Sequence, residues 1–210
     1  MKVDVYVDVV CPWSYLGKRR LETALAGYPG RDSVEVEYKP FPLSDGVLSV
    51  GPDDVPGAVK DHVTSVAAED GVTLDLAAVV PAPTFDAHRL LWWARAQGRQ
   101  HEVAERLFAA HLSGGVDLGD RSALAAASGL DGAAEFLASS AGVEEVKEAI
   151  GEARAIGVES VPTFVFEERW AVTGAQPAGV LGEILDQVAD QSIAVRAGGG
   201  GECCGGGCCG

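Results

Sequence analysis

No stretch of the chain reaches the roughly 18 uninterrupted apolar residues that a membrane-spanning helix needs, because Asp, Glu, Gly or Pro breaks every candidate run. A bilayer-spanning segment is therefore not expected. Positive charge is also scarce: 16 Lys and Arg stand against 31 Asp and Glu, a formal net charge of −15 at pH 7. Without a Lys/Arg cluster, the attraction to phosphate that dominates nucleic-acid affinity is missing, so neither nucleic acid nor an anionic membrane surface is an expected partner. Cysteine is nearly absent from the body. Cys11 stands alone there, while Cys203, Cys204, Cys208 and Cys209 crowd the last eight residues. No internal disulfide can staple the body, and a lone body thiol fits a reducing compartment better than a secreted disulfide scaffold.

What is present reads as an ordinary globular protein. The 210 residues are 47% apolar and 22% charged, enough for one large domain or a small domain with a sizeable insertion. The amino terminus, MKVDVYVDVVCPWSYLGKRR, carries Asp4 and Asp8 inside its apolar run, where a secretory signal peptide needs an unbroken one. It is expected to be the first strand of a cytoplasmic protein. From Lys2 to Val9 the sequence alternates with period two, and Val10-Cys11-Pro12-Trp13 then leads into a helical pattern with Leu16, Leu21 and Leu25. Val34 to Phe41 resumes the strand pattern, and a helical crossover of this length favours parallel pairing.

Gly46 to Pro56 is rich in Gly, Pro and Asp and reads as a linker. Between about Val59 and Gly157 the apolar spacing is helical almost throughout, in short runs that each close near Gly or Ser. Pro162 to Phe166, a turn, and Trp170 to Thr173 then form an expected hairpin, followed by a helix from Pro177 to about Val195 with Val180, Ile184, Leu185 and Val188 on one face. The order β-α-β, helices, β-β-α is that of an α/β, thioredoxin-like fold with a large all-helical insertion. The expected division is 1–50 and 158–196 for the thioredoxin-like domain, 51–157 for the helical subdomain, and 197–210 for a Gly/Cys-rich tail that cannot bury a core.

A cysteine is nucleophilic as thiolate, and its pKa falls at the amino-terminal end of a helix, where free N–H groups and the helix dipole favour negative charge. Cys11 is expected in that place, between a strand and a proline suited to the first helical turn. The bland alternative is a small buried hydrophobe at a strand end, since cysteine is among the most buried residue types. Ser14, three residues on, can donate a hydrogen bond to the sulfur but cannot resolve a disulfide. The second element is Ser160-Val161-Pro162-Thr163, where a proline opens a strand after a helix.

CPWSYLG, AHRLLWWA, and VPTFVF followed by VTGAQP together resemble the DsbA-like thioredoxin family, in particular its FrnE-like cytoplasmic branch, over residues 1 to about 190. The resemblance implies thiol–disulfide exchange at Cys11, a cis proline at Pro162 facing the sulfur, and a Val161 backbone free to pair with an extended or glutathione-like substrate. It makes Pro12, Trp13, Val161, Pro162 and His88 substrate-side candidates and Cys11 and Ser14 the catalytic ones. The branch usually carries CPWC, whereas this chain has CPWS, so a dithiol cycle within the motif is excluded. The serine is either natural, as in monothiol glutaredoxins, or introduced to trap a mixed disulfide. Related 2-hydroxychromene-2-carboxylate isomerases and kappa-class glutathione transferases have serine at the first motif position, so Cys11 favours redox exchange over glutathione-dependent isomerase or transferase work.

No tightly bound cofactor is expected; glutathione or another low-molecular-weight thiol is the expected co-substrate. The expected partner is a protein or small-molecule disulfide, and a homodimer stays open. His88 has a packing or hydrogen-bonding role as its first reading, Trp92 and Trp93 are core by default, and Phe41 and Pro42 are weaker candidates for approaching Cys11. His62, His101 and His111 are scattered, with no second ligand at metal spacing, and are expected to be surface or satisfied core residues. The tail cysteines Cys203, Cys204, Cys208 and Cys209 have three readings: resolving a mixed disulfide at Cys11, capturing a soft metal such as Cu(I) or Zn(II), or no role. Fourteen Gly-rich residues span ~20 Å on average, enough for the first of these.

Overall fold

The computed structural model describes residues 1–43 and 56–198, with side-chain surroundings through residue 191. Nearly all of the linker and the four tail cysteines lie outside the described residues. The chain runs β1 (Lys2–Val7), α1 (Pro12–Gly27), a short 3-10 turn, β2 (Glu35–Pro40), then α2 (Gly57–Glu69), α3 (Phe85–Ala96), α4 (Gln100–Leu112), α5 (Arg121–Ser128), α6 (Ala133–Ala138) and α7 (Val143–Ala155). It closes with β3 (Thr163–Phe166), β4 (Trp170–Thr173) and α8 (Ala178–Gly198).

The four strands make one sheet in the order β2-β1-β3-β4. β1 pairs in parallel with β2 and antiparallel with β3, and β3 pairs antiparallel with β4. This is the thioredoxin-like arrangement the sequence order suggests. Val3, Val5 and Val7 face α1 and α8 and share one buried cluster with Leu21, Phe164, Phe166, Leu181 and Leu185. Among the edge strands, β2 has its Tyr38 backbone occupied on both sides of the peptide: Tyr38 N–H donates to Gln100 Oε1 and Tyr38 C=O accepts from Gln100 Nε2. A side chain of α4 thus takes backbone groups that would otherwise invite another strand.

Three details depart from the pattern. β1 stops at Val7 rather than Val9, because the chain turns there and Cys11 N–H donates to Asp8 C=O at 3.0 Å. Period-two alternation ordinarily marks a half-buried strand, yet both faces of β1 are buried: Asp4 and Tyr6 are each 5% exposed. The cause is α7 and the segment after it, whose Ala153 and Val158 pack on Tyr6. In α8 the inward stripe is Leu181, Leu185 and Val188, whereas Val180, expected on that face, is exposed. The helix also continues to Gly198, past the expected start of the tail.

Candidate active site

Cys11 is the N-cap of α1, with extended backbone angles (φ −90°, ψ 114°) and Pro12 opening the first helical turn. Cys11 C=O accepts the N–H groups of Ser14 and Tyr15 at 3.0 and 3.2 Å, so the motif is wound into the helix start. Its Sγ lies 3.9 Å from the carbonyl oxygen of Val161. The Val161–Pro162 peptide is cis. Pro162 is held on α1 at Gly17, where a Cβ would come within 2.8 Å of Pro162 Cγ. The structure therefore brings Cys11, Pro12, Ser14, Val161 and Pro162 together.

The electrostatics differ from expectation. Cys11 is buried, and burial pushes its thiol pKa up. The Ser14 hydroxyl, the Ser14 N–H and the Trp13 N–H pull it down, while the Asp8 carboxylate pushes it up, and the net direction is up. The helix terminus lowers the thiol pKa locally, but desolvation and the neighbouring carboxylate win. Thiolate at Cys11 thus needs help from its surroundings.

Trp13 is half-buried and meets His62 of α2 with ring centroids 5.9 Å apart. His62, expected to be a surface or satisfied core residue, is exposed and stands beside the motif. Phe41 joins Val161 in a small apolar cluster around Tyr6. Trp93 is core, stacked on Phe136 at 4.6 Å, while Trp92 is 38% exposed, against the default reading. A groove of about 840 Å³ on the second sheet face, between the end of α7 and β4, includes Ser160 and Thr163 but not the cysteine.

One functional-site residue escaped the sequence reading. Asp8, in the turn between β1 and Cys11, has no measurable exposure, and its backbone N–H reaches Ser14 Oγ at 3.4 Å. Its Oδ2 accepts the Leu43 N–H at 2.8 Å, and its Oδ1 faces His88 Nε2 at 3.4 Å. His88 therefore meets the site through Asp8. His111 is likewise fully buried, with Nδ1 3.0 Å from the Val116 carbonyl oxygen, and burial lowers its pKa against the pull of that bond, Asp8 and Asp117. Its Nε2 has no partner among the described residues, so it is neither the surface nor the satisfied core residue expected. An acidic residue inside an apolar run, three positions before a candidate nucleophile, was the available signal.

A family model for the DsbA-like thioredoxin domain matches residues 2–186. The chain belongs to this family. It is similar to a probable DsbA oxidoreductase from Streptomyces coelicolor, with 32% identity over 90% of each chain and a TM-score of 0.79. An uncharacterized protein of Bacillus subtilis is 32% identical over 139 residues, 62% of this chain and 68% of that one. A 2-hydroxychromene-2-carboxylate isomerase shares the fold, with a TM-score of 0.70 at 21% identity over 93% of this chain and 99% of that one. Among the described residues of this DsbA-like chain, no helix is long and apolar enough to cross a membrane, and no group of three or more metal-ligating side chains is assembled.

Proposed function

We propose that this DsbA-like protein is a thiol–disulfide oxidoreductase working through the single motif thiol of Cys11, with glutathione or a similar small thiol as co-substrate. The observation that carries the reading is the placement of Cys11 at the start of α1, opposite the Val161 carbonyl and under the hydrogen bonds of Ser14. In the first step the Cys11 thiolate attacks one sulfur of a substrate–glutathione mixed disulfide. The old S–S bond breaks, a bond between Cys11 and the glutathione sulfur forms, and the substrate leaves as thiolate and takes up a proton. A second glutathione thiolate then attacks the enzyme-bound glutathione sulfur, restoring the Cys11 thiolate and carrying two electrons' worth of oxidation away as glutathione disulfide. Ser14 serves as hydrogen-bond donor to the sulfur in both thiolate states, and the Val161 backbone and the Trp13 face orient the incoming disulfide.

The setting proposed is the reducing cytoplasm, where a lone body thiol stays free. The test is turnover of a glutathionylated peptide by the full chain, compared with Cys11→Ser and with a variant in which Cys203, Cys204, Cys208 and Cys209 are all serine. Loss of turnover in Cys11→Ser with activity kept in the tail variant supports the reading. If Cys11→Ser keeps full activity and the tail variant loses it, the exchange chemistry belongs to the tail thiols and the Cys11 reading fails. A tail variant that stalls as a glutathione adduct on Cys11 would instead assign the tail the resolving step.

A further inference from the structure

Three buried polar atoms near Cys11 have no hydrogen-bond partner among the described residues: Asp8 Oδ1, His88 Nε2 and His111 Nε2. They come from the turn after β1, from α3 and from α4, with Asp8 facing His88 and its charge acting on His111. A buried carboxylate with one backbone donor on it among the described residues is costly, and a nearby proton is the simplest compensation. For Asp8 that donor is Leu43 N–H, and the group facing its other oxygen is the His88 imidazole at 3.4 Å. Both side chains are 1% exposed.

From this geometry we infer that Asp8 and His88 share one exchangeable proton whose presence sets how readily Cys11 becomes a thiolate. Asp8 is bound to the motif by its backbone, since its C=O accepts Cys11 N–H and its N–H reaches Ser14 Oγ. The two residues are therefore held in one tight turn. With the proton on the pair, the charge of Asp8 is balanced and the thiolate is tolerated. With the proton gone, the bare carboxylate opposes a second negative charge beside it.

The pair also has a route for exchange. His88 lines a cavity of about 130 Å³ between α3, α7 and β2, walled by Glu37, Lys39, Arg95 and Glu145 among others. This space, with charged side chains in its wall, is large enough for water, which can carry protons between the pair and the surface. The charged and titratable groups facing the pair are therefore Cys11 from α1, His111 from α4 with Asp117 beyond it, and these four side chains from β2, α3 and α7.

The inference rests on Cys11 being the working nucleophile, and its test does not need a disulfide substrate. The rate of iodoacetamide reaction at Cys11 is measured against pH in the full chain, with the Cys11 peptide quantified by mass spectrometry so that tail thiols do not contribute. In the native chain the rate rises with pH more gradually than for one isolated site. Asp8→Asn removes the opposing charge, giving a single-site curve with its midpoint lowered by about one pH unit. His88→Gln leaves the carboxylate unbalanced and raises the midpoint. A merely structural role would move both variants in the same direction or neither, and either result overturns the inference.

Should Asp8→Asn fail to fold, nitrogen NMR of the His88 imidazole in native protein and in Cys11→Ser decides. Linkage is reciprocal, so removing the thiolate must move the protonation midpoint of His88 downward. An unchanged midpoint overturns the proposal. Opposite alkylation shifts combined with no disulfide turnover would leave the proton coupling standing and remove the oxidoreductase reading alone.

Discussion

Cys11 Sγ and the Val161 carbonyl oxygen approach to 3.9 Å across 150 residues of sequence. The contact depends on how closely α1 lies against the chain entering β3, and Gly17 sets that distance. A Cβ there would be 2.8 Å from Pro162 Cγ and 3.1 Å from Phe164 Cζ, both in rigid or fully buried groups. Gly17→Ala is expected to destabilise the fold by about 1–3 kcal/mol through overpacking, measured by urea unfolding, and to slow Cys11 alkylation as the two elements part. Gly151→Ala is the control. Gly151 is exposed inside α7 with nothing near its missing Cβ, so alanine should add about 0.5–1 kcal/mol of stability. Equal effects at the two positions would remove Gly17 from this role.

A second consequence follows from the charge cluster at the other flank of α1. Lys18 is fully buried and donates to both Glu22 and Glu105, while His101 reaches Glu22 from α4. Burial pushes the Glu22 carboxyl up, but His101 and Lys18 outweigh it and hold the pKa at about 2, against an ordinary value of 4.5. A carboxyl depressed in the folded state adds stability above its unfolded value, and that stability disappears as pH falls through the folded value. Urea midpoints should therefore drop steeply between about pH 4.5 and 2, and Glu22→Gln should flatten that fall. An unchanged acid limb in Glu22→Gln would show that Lys18 and His101 do not depress this carboxyl.

How legible these features were depends on how local they are. The strand–Cys–Pro–helix order at Cys11 and the hairpin after Pro162 are written in adjacent residues, and the period-two and helical spacings carry them directly. Asp8 continues the alternation of β1 into the turn after it, and Glu37 sits at an alternate position of β2, where an acidic residue ordinarily faces water. They are buried because α3 and α7 cover that side of the sheet, and no window of sequence around either residue contains that information. The same applies to the Cys11 thiol. Its helix-terminus environment is local, whereas burial and the charge of Asp8 are products of tertiary packing.

Arg89 offers a sharper stability test. This fully buried guanidinium, beside His88 on α3, donates to Ser139 C=O at 2.8 Å, to Ala141 C=O at 2.8 and 3.0 Å, and to Asp86 Oδ1 at 2.7 Å. It also lies over the Phe136 ring at 5.2 Å. One planar fork thus joins α3 to the turn between α6 and α7. Lysine has a point charge and cannot reach these acceptors together, so Arg89→Lys should cost about 2–4 kcal/mol. Thermal unfolding checks this, and a loss under about 0.5 kcal/mol would mean the carbonyls find other donors.

The last prediction concerns the motif itself. Ser14 N–H donates to Cys11 C=O at 3.0 Å, which places the two residues on one turn of α1, and Ser14 is fully buried beneath the sulfur. Positions three apart on a helix lie within the separation a disulfide bridges, about 4.4–6.8 Å between Cα atoms. Ser14→Cys, in a chain whose four tail cysteines are serine, should therefore form an 11–14 disulfide in glutathione disulfide. Peptide mapping would read the loss of two hydrogens from the motif peptide. The glutathione adduct at Cys11 should then be short-lived, because the new thiol displaces glutathione intramolecularly and turns a one-thiol cycle into a two-thiol one. Persistence of that adduct with no 11–14 bond would mean that the Ser14 side chain does not face Cys11 Sγ, and would also remove Ser14 as the donor that supports the thiolate.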